Sequence, residues 1–67
     1  MSVAKVIELT AASPKSFEDA VRMGIDRAEK TLDKVTGAWI SEQKVKVENG
    51  KVTEYRVTMR VSFLLKD

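Results

Sequence analysis

Val45-Lys46-Val47-Glu48-Asn49-Gly50-Lys51-Val52-Thr53-Glu54-Tyr55 decides how this chain folds. Both central positions of a type I′ turn need positive φ, which Asn and Gly tolerate best, so Asn49-Gly50 between two β-rich runs signals a tight hairpin. The run before the turn extends back to Ala38, and the run after it continues to Leu65. A two-residue loop sets Glu48 against Lys51, and an unbroken ladder then sets Ala38 against Val61, Ile40 against Met59 and Glu42 against Val57. Val57, Met59, Val61, Phe63 and Leu65 alternate along one face, with Tyr55 near its end, and that face is expected to be core. The opposite face carries Trp39 against Arg60, Ser41 against Thr58 and Gln43 against Arg56, and turns apolar toward the loop at Val45, Val47 and Val52. This last cluster reads as a contact between subunits.

Upstream of the hairpin, Val3 to Thr10 is rich in β-branched and aliphatic residues. Val3, Ile7 and Leu9 fall on one side and Val6 with Glu8 on the other, as in a strand, and Ala11-Ala12-Ser13-Pro14 reads as a turn. Ser16 then stands three residues before Asp19, the spacing of a capping box, and Glu18 and Asp19 favour the positive end of a helix. Phe17, Ala20, Val21, Gly24, Ile25, Ala28, Leu32 and Val35 recur at helical steps, with Glu18, Arg22, Asp26, Lys30 and Asp33 opposite them. Gly24 lies on the apolar stripe, where a missing side chain allows a strand to approach closely, while Met23 reads as packing on the flank. Thr36-Gly37 is expected to end the helix. The chain therefore reads as one α+β domain over 1–67, in the order β-α-β-β, with a three-stranded antiparallel sheet wrapped around one amphipathic helix.

Sixty-seven residues sit near the lower limit for a self-sufficient apolar core. Small chains usually add disulfides, a metal or self-association, and this one has no Cys and no His. Self-association is the remaining staple. Met1 to Lys5 does not begin an export signal and no apolar run approaches a membrane span, so the expectation is a soluble cytoplasmic protein that binds no membrane. Twelve basic and ten acidic residues leave a net charge of +2, and Lys44 and Lys46 are flanked by Glu42 and Glu48 on one strand face. That is a solvated edge rather than a nucleic-acid stripe. A nucleophile with its base, a phosphate loop and a paired-carboxylate motif are all missing, so the reading is a binding protein rather than an enzyme. An exposed Trp39 amid hydrogen-bonding side chains suits either a planar heteroaromatic ligand or a subunit contact. Arg56 and Arg60 suit either an anion or cross-strand ion pairs.

The order of particular residues resembles the dodecin family of small flavin-sequestering proteins. The resemblance rests on Lys5-Val6-Ile7-Glu8-Leu9, Ser13-Pro14, Ser16-Phe17-Glu18-Asp19-Ala20-Val21, Arg27-Ala28, Lys30-Thr31-Leu32, Glu42-Gln43, Glu54-Tyr55-Arg56-Val57-Thr58 and Val61-Ser62-Phe63. It implies a hollow homododecamer in which flavins, riboflavin or FMN, stack between Trp residues near two-fold axes for storage or photoprotection. Carried onto this chain, the ligand contacts would be Trp39, Gln43, Arg56, Gly37, Ser41 and Thr58. Gly37 stands where flavin-binding members carry the stacking Trp, two residues before Trp39, and Arg56 stands where several carry a Gln. The resemblance also implies an alternative, a structural or calcium-holding shell without flavin.

If assembly is what stabilises so small a chain, the melting temperature will rise with protein concentration. A monomer whose melt is independent of concentration would contradict this.

Overall fold

The computed structural model describes residues 3–32 and 34–65. Strand β1 spans Ala4–Ser13, helix α1 Phe17–Glu29, strand β2 Lys34–Glu48 and strand β3 Lys51–Leu64. All pairings are antiparallel and the sheet order is β1-β3-β2, so the last strand of the chain is the central one. This is the β-α-β-β architecture that the sequence implies. Asn49 and Gly50 take φ of 53° and 75°, as the turn requires, and Glu48 faces Lys51.

The core forms where α1 lies on the β1 and β3 side of the sheet. Ala20, Val57, Met59 and Val61 are fully buried, and Ile7, Leu9, Ala11, Phe17, Val21, Ile25 and Val35 pack around them. Phe17 meets Tyr55 edge to face at 5.2 Å, closing the end of the core nearest the helix start. Gly24 is buried, and a Cβ built there would run into Met59 Cε and come within 3.2 Å of both Ala11 Cβ and Leu9 Cδ1. The glycine thus allows the helix to press onto β1, as its place on the stripe suggests.

Two element boundaries differ from the sequence reading. β1 runs through Ala11, Ala12 and Ser13, which pair with Val57, Arg56 and Tyr55 instead of turning. The helix stops at Glu29, with Lys30 as its cap, and the amides of Thr31 and Leu32 both close on Ala28 O. Val35 and Thr36 join β2, and Gly37 sits within that strand with no positive φ, so it is not a helix cap. In both places an available ladder on β3 overrides a local signal, since each backbone N–H and C=O gains a partner by extending the sheet. Asp33, expected on the polar side of the helix, lies outside the described residues.

At the other end of α1, Ser16 Oγ accepts the Asp19 amide at 2.9 Å. The reciprocal half of the capping box is absent because the Asp19 carboxylate turns elsewhere. It accepts from the hydroxyl of fully buried Ser13 at 2.6 Å and from Arg22 at 3.0 Å. Ser13 Oγ also accepts the Lys15 amide at 3.0 Å, so one side chain ties the end of β1 to the start of α1.

The fold leaves much of itself uncovered. The radius of gyration is 13.8 Å, against about 11 Å for a compact chain of this length. The accessible surface of 5024 Å² likewise exceeds the roughly 4,250 Å² of a compact monomer of 7.5 kDa. The excess lies in the β2–β3 hairpin arm, which runs past the end of β1 and past the helix, giving a molecule 52 Å long.

Two outcomes follow. Gly24→Ala will lower stability in urea despite a helix-propensity gain of up to about 1 kcal/mol, because overpacking typically costs about 1–3 kcal/mol; a more stable variant would contradict the close packing. The Ser13 hydroxyl, followed by Arg22, holds the Asp19 carboxyl below its ordinary value. Its contribution is therefore full above the unfolded carboxylate pKa, about 3.9, and is lost as pH falls through the lower folded value. Ser13→Ala will lower stability at neutral pH and flatten the acid limb of the stability–pH curve. An acid limb as steep as the wild type's would contradict the role given to Ser13.

Candidate functional site

The face of the sheet turned away from α1 is set by β3. Val57, Met59, Val61 and Phe63 point into the core, so Arg56, Thr58, Arg60 and Ser62 point outward. Whatever pairs with those four shares their face. From β1 these are Ala12, Thr10, Glu8 and Val6, and from β2 they are Lys44, Glu42, Trp39 and Gly37.

The β2 partners are not those of an unbroken ladder. Thr36, Ser41 and Thr53 have no partner residue and mark three breaks in register, each with one extra residue on one strand. Each extra residue carries a hydroxyl that donates to a carbonyl of the opposite strand. Thr36 Oγ1 reaches Ser62 O at 3.3 Å, Ser41 Oγ reaches Thr58 O at 3.1 Å, and Thr53 Oγ1 reaches Lys46 O at 3.3 Å. A bulge disrupts the ladder locally, and in each of the three a side-chain donor supplies a carbonyl with a hydrogen bond. The breaks at Thr53 on β3 and Ser41 on β2 cancel. Trp39 therefore still faces Arg60, and Ala38 still faces Val61, as a simple hairpin count gives.

Between the two breaks the count is wrong by one and the faces are exchanged. Glu42 pairs with Thr58 rather than Val57, and Gln43 pairs with Val57 rather than Arg56. Gln43 consequently lies on the helix-side face, opposite to Trp39. Val45, paired with Tyr55, lies there too, and so do Val47 and Val52, which pair with each other. The valine cluster is thus on the helix side of the uncovered arm and not on the Trp39 face, and Ile40, opposite Met59 where all three strands are paired, shares that side. These apolar side chains are exposed: Ile40, Val45, Val47 and Val52 range from 37% to 57%.

Of the six residues named from the sequence, five share the outer face or its rim. Gly37 faces Ser62, whose hydroxyl donates to Gly37 O at 3.2 Å. Trp39 is 48% exposed. Ser41 occupies the bulge, and Thr58 Oγ1 is 3.2 Å from Thr10 Oγ1. Arg56 lies four residues along β3 from Arg60, about 13 Å away, and its guanidinium donates to Glu54 at 2.7 Å. Its β2 partner is Lys44, and Lys44, Lys46 and Arg56 line a depression of about 260 Å³. Gln43 is the residue that the structure separates from the rest.

Arg60, which the sequence sets opposite Trp39 and offers for an anion or a cross-strand ion pair, is joined on this face by Glu8, a neighbour that the sequence reading does not give it. The Arg60 guanidinium carbon stands 6.0 Å from the centroid of the Trp39 ring, and Arg60 Nε is 3.7 Å from Glu8 Oε2. Glu8, Arg60 and Trp39 form one cross-strand row over all three strands. Among the described residues no group of three or more His, Cys, Asp or Glu side chains is placed to hold a metal ion. No helix among the described residues is long and apolar enough to cross a membrane.

A three-stranded antiparallel sheet wrapping one helix, with an indole and ionic side chains on the far face, defines a class of very small β-α-β-β proteins. Within that class the chain belongs to the dodecin family, whose model matches residues 3–66. It is 39% identical to the calcium dodecin of Mycobacterium tuberculosis, over 98% of this chain and 93% of that one. A solved point mutant of the Thermus thermophilus dodecin superposes with a TM-score of 0.95 at 30% identity, covering all of both chains. The solved calcium dodecin of M. tuberculosis, described as calcium-chelating with a calcium-binding site, gives a TM-score of 0.85 at 36% identity, covering 97% of this chain and 93% of that one. Dodecins are small, homo-oligomeric storage or binding proteins rather than enzymes.

Proposed function

We propose that this chain is a non-catalytic subunit of a cytoplasmic homododecameric shell that sequesters a flavin, riboflavin or FMN, on the face bearing Trp39. One observation carries the ligand reading: a half-exposed indole stands on the outer face, beside Arg60 and in a field of hydroxyls and cations. An indole in that setting offers a planar ring a stacking surface, while Arg56 and Lys44 supply positive charge on the same face for an anionic tail. The residues fit the group through Trp39, Arg56, Ser41 and Thr58. Gly37 leaves space on that face, since a Cβ there would meet only Ser62 Oγ at an ordinary 3.6 Å. Gln43 has no part in it. A flavin held against an indole loses its fluorescence, which makes binding directly readable.

The self-assembly reading is supported by the uncovered arm. Val45, Val47 and Val52 on the arm, with Ile40 at the β2 edge, present exposed apolar surface, and a neighbouring copy is the economical way to bury it.

A second reading is favoured by the M. tuberculosis relative, whose name makes it a calcium protein. Glu8, Glu42 and Glu54 all lie on the outer face but in different rows, so a hard-cation site would need carboxylates from neighbouring copies.

Titration of the assembled protein with riboflavin and FMN, with calcium binding followed by calorimetry, separates the readings. Saturable flavin quenching is expected, and Trp39→Ala should weaken it by about 1–3 kcal/mol, roughly 5- to 150-fold, while size-exclusion still shows the shell. An assembled wild type that ignores flavin and takes up calcium would establish the second reading instead.

A further inference from the structure

We infer that Arg60, which lies between Glu8 and Trp39, is the residue that selects ligand charge at the Trp39 face, favouring planar anionic ring systems and rejecting cationic ones. The inference rests on the reading of that face as the binding site and adds to it the chemistry of what is admitted.

The three residues come from three different strands, and the register places them in a single row. Arg60 belongs to the central strand, so its guanidinium can reach an edge strand on either side. On one side its Nε is 3.7 Å from Glu8 Oε2, and on the other its Cζ is 6.0 Å from the Trp39 ring centroid. Glu8 and Trp39 belong to the two outer strands, which lie about 10 Å apart. A ring settling on the indole therefore meets the guanidinium well before the carboxylate. The cation is the near charge, and the carboxylate acts mainly by steering it.

Arg56, the other arginine on this face, is placed differently. Its guanidinium makes a 2.7 Å hydrogen bond with Glu54 and lies about 13 Å along the strand from the row of Trp39. Arg60 makes only the longer contact with Glu8 and keeps more than half of its side-chain surface exposed, so it has donors free for a ligand. The Arg60 guanidinium lies over the Trp39 ring as a cation–π contact, and on that side of the indole it attracts a ring carrying negative charge and repels a second cation. A charge at this range is worth from a few-fold in water to well over tenfold where water is excluded.

Trp39 is the single tryptophan of the chain, so its emission reports this face alone. The experiment titrates wild type, Arg60→Gln, Arg60→Lys and Arg60→Glu with three probes: pyrene sulfonate, pyrenylmethylammonium and riboflavin. The two pyrenes share a ring and differ in the sign of their charge. In the wild type the sulfonate should bind more tightly than the ammonium. Arg60→Gln should reduce the ratio of the two affinities about tenfold, Arg60→Lys should keep it within about threefold, and Arg60→Glu should invert it. Equal affinity for both pyrenes in the wild type, or a ratio unmoved in an assembled Arg60→Gln protein, overturns the inference. Equal wild-type affinities overturn the inference even if the Arg60 variants do not assemble. Riboflavin separates the two proposals: charge selection between the pyrenes without riboflavin quenching removes the flavin reading and leaves this one standing. Riboflavin quenching with no selection between the pyrenes does the reverse.

Discussion

Everything distinctive about this protein depends on how β2 and β3 are registered, because a strand has only two faces and a slip of one residue exchanges them. The Asn49-Gly50 turn starts the ladder, but it does not fix it throughout. The extra residue at Thr53 moves the count by one, and the extra residue at Ser41 moves it back. Core residues near the helix and the Trp39–Arg60 pair therefore sit where a plain hairpin puts them, while the segment between the breaks is inverted. That inversion sends Glu42, Lys44 and Lys46 to the outer face and Gln43, Val45 and Val47 to the helix side. The arm thus becomes charged on one face and apolar on the other.

This division separates the tasks of the sheet. The small core is made by α1 against β1 and β3, and it is closed at one end by Phe17 on Tyr55. The outer face takes no part in that core, so Trp39, Arg60 and Arg56 contribute little to the subunit's own packing. The exposed ion pairs on it are individually weak contributors to stability. Their value is in positioning: a row of side chains across three hydrogen-bonded strands is held by backbone geometry rather than by a loop. The apolar side of the arm has neither helix nor third strand over it, and this exposed surface is what supports the proposed self-assembly in a family of homo-oligomers.

Much of this was legible in the residues. The Asn49-Gly50 signal, the alternation from Val57 to Phe63 and the stripe from Phe17 to Ala28 are local patterns whose physical causes act locally, and each holds in the structure. Gly24 was legible for the same reason, as a gap in an apolar stripe. The extension of β1 to Ser13 and the early end of α1 were not, because each depends on a partner strand distant in sequence. The bulges were hidden because the count across the whole hairpin comes out right at Trp39. Their trace is chemical: Thr36, Ser41 and Thr53 are the hydroxyl residues that supply a donor where the ladder skips. Ser and Thr are common in strands for other reasons, so hydroxyls alone do not reveal which residue bulges. The placement of Gln43 failed on that point.

The register between the two breaks is tested most directly by cross-linking, for which the absence of native cysteine leaves a clean background. Lys44→Cys combined with Arg56→Cys places two thiols directly opposite on the outer face and should form a disulfide on mild oxidation. Gln43→Cys combined with Arg56→Cys places them on opposite faces and should not. Closure of the second pair and failure of the first would show an unbroken ladder, return Gln43 to the face of Trp39, and contradict the account of the site given above.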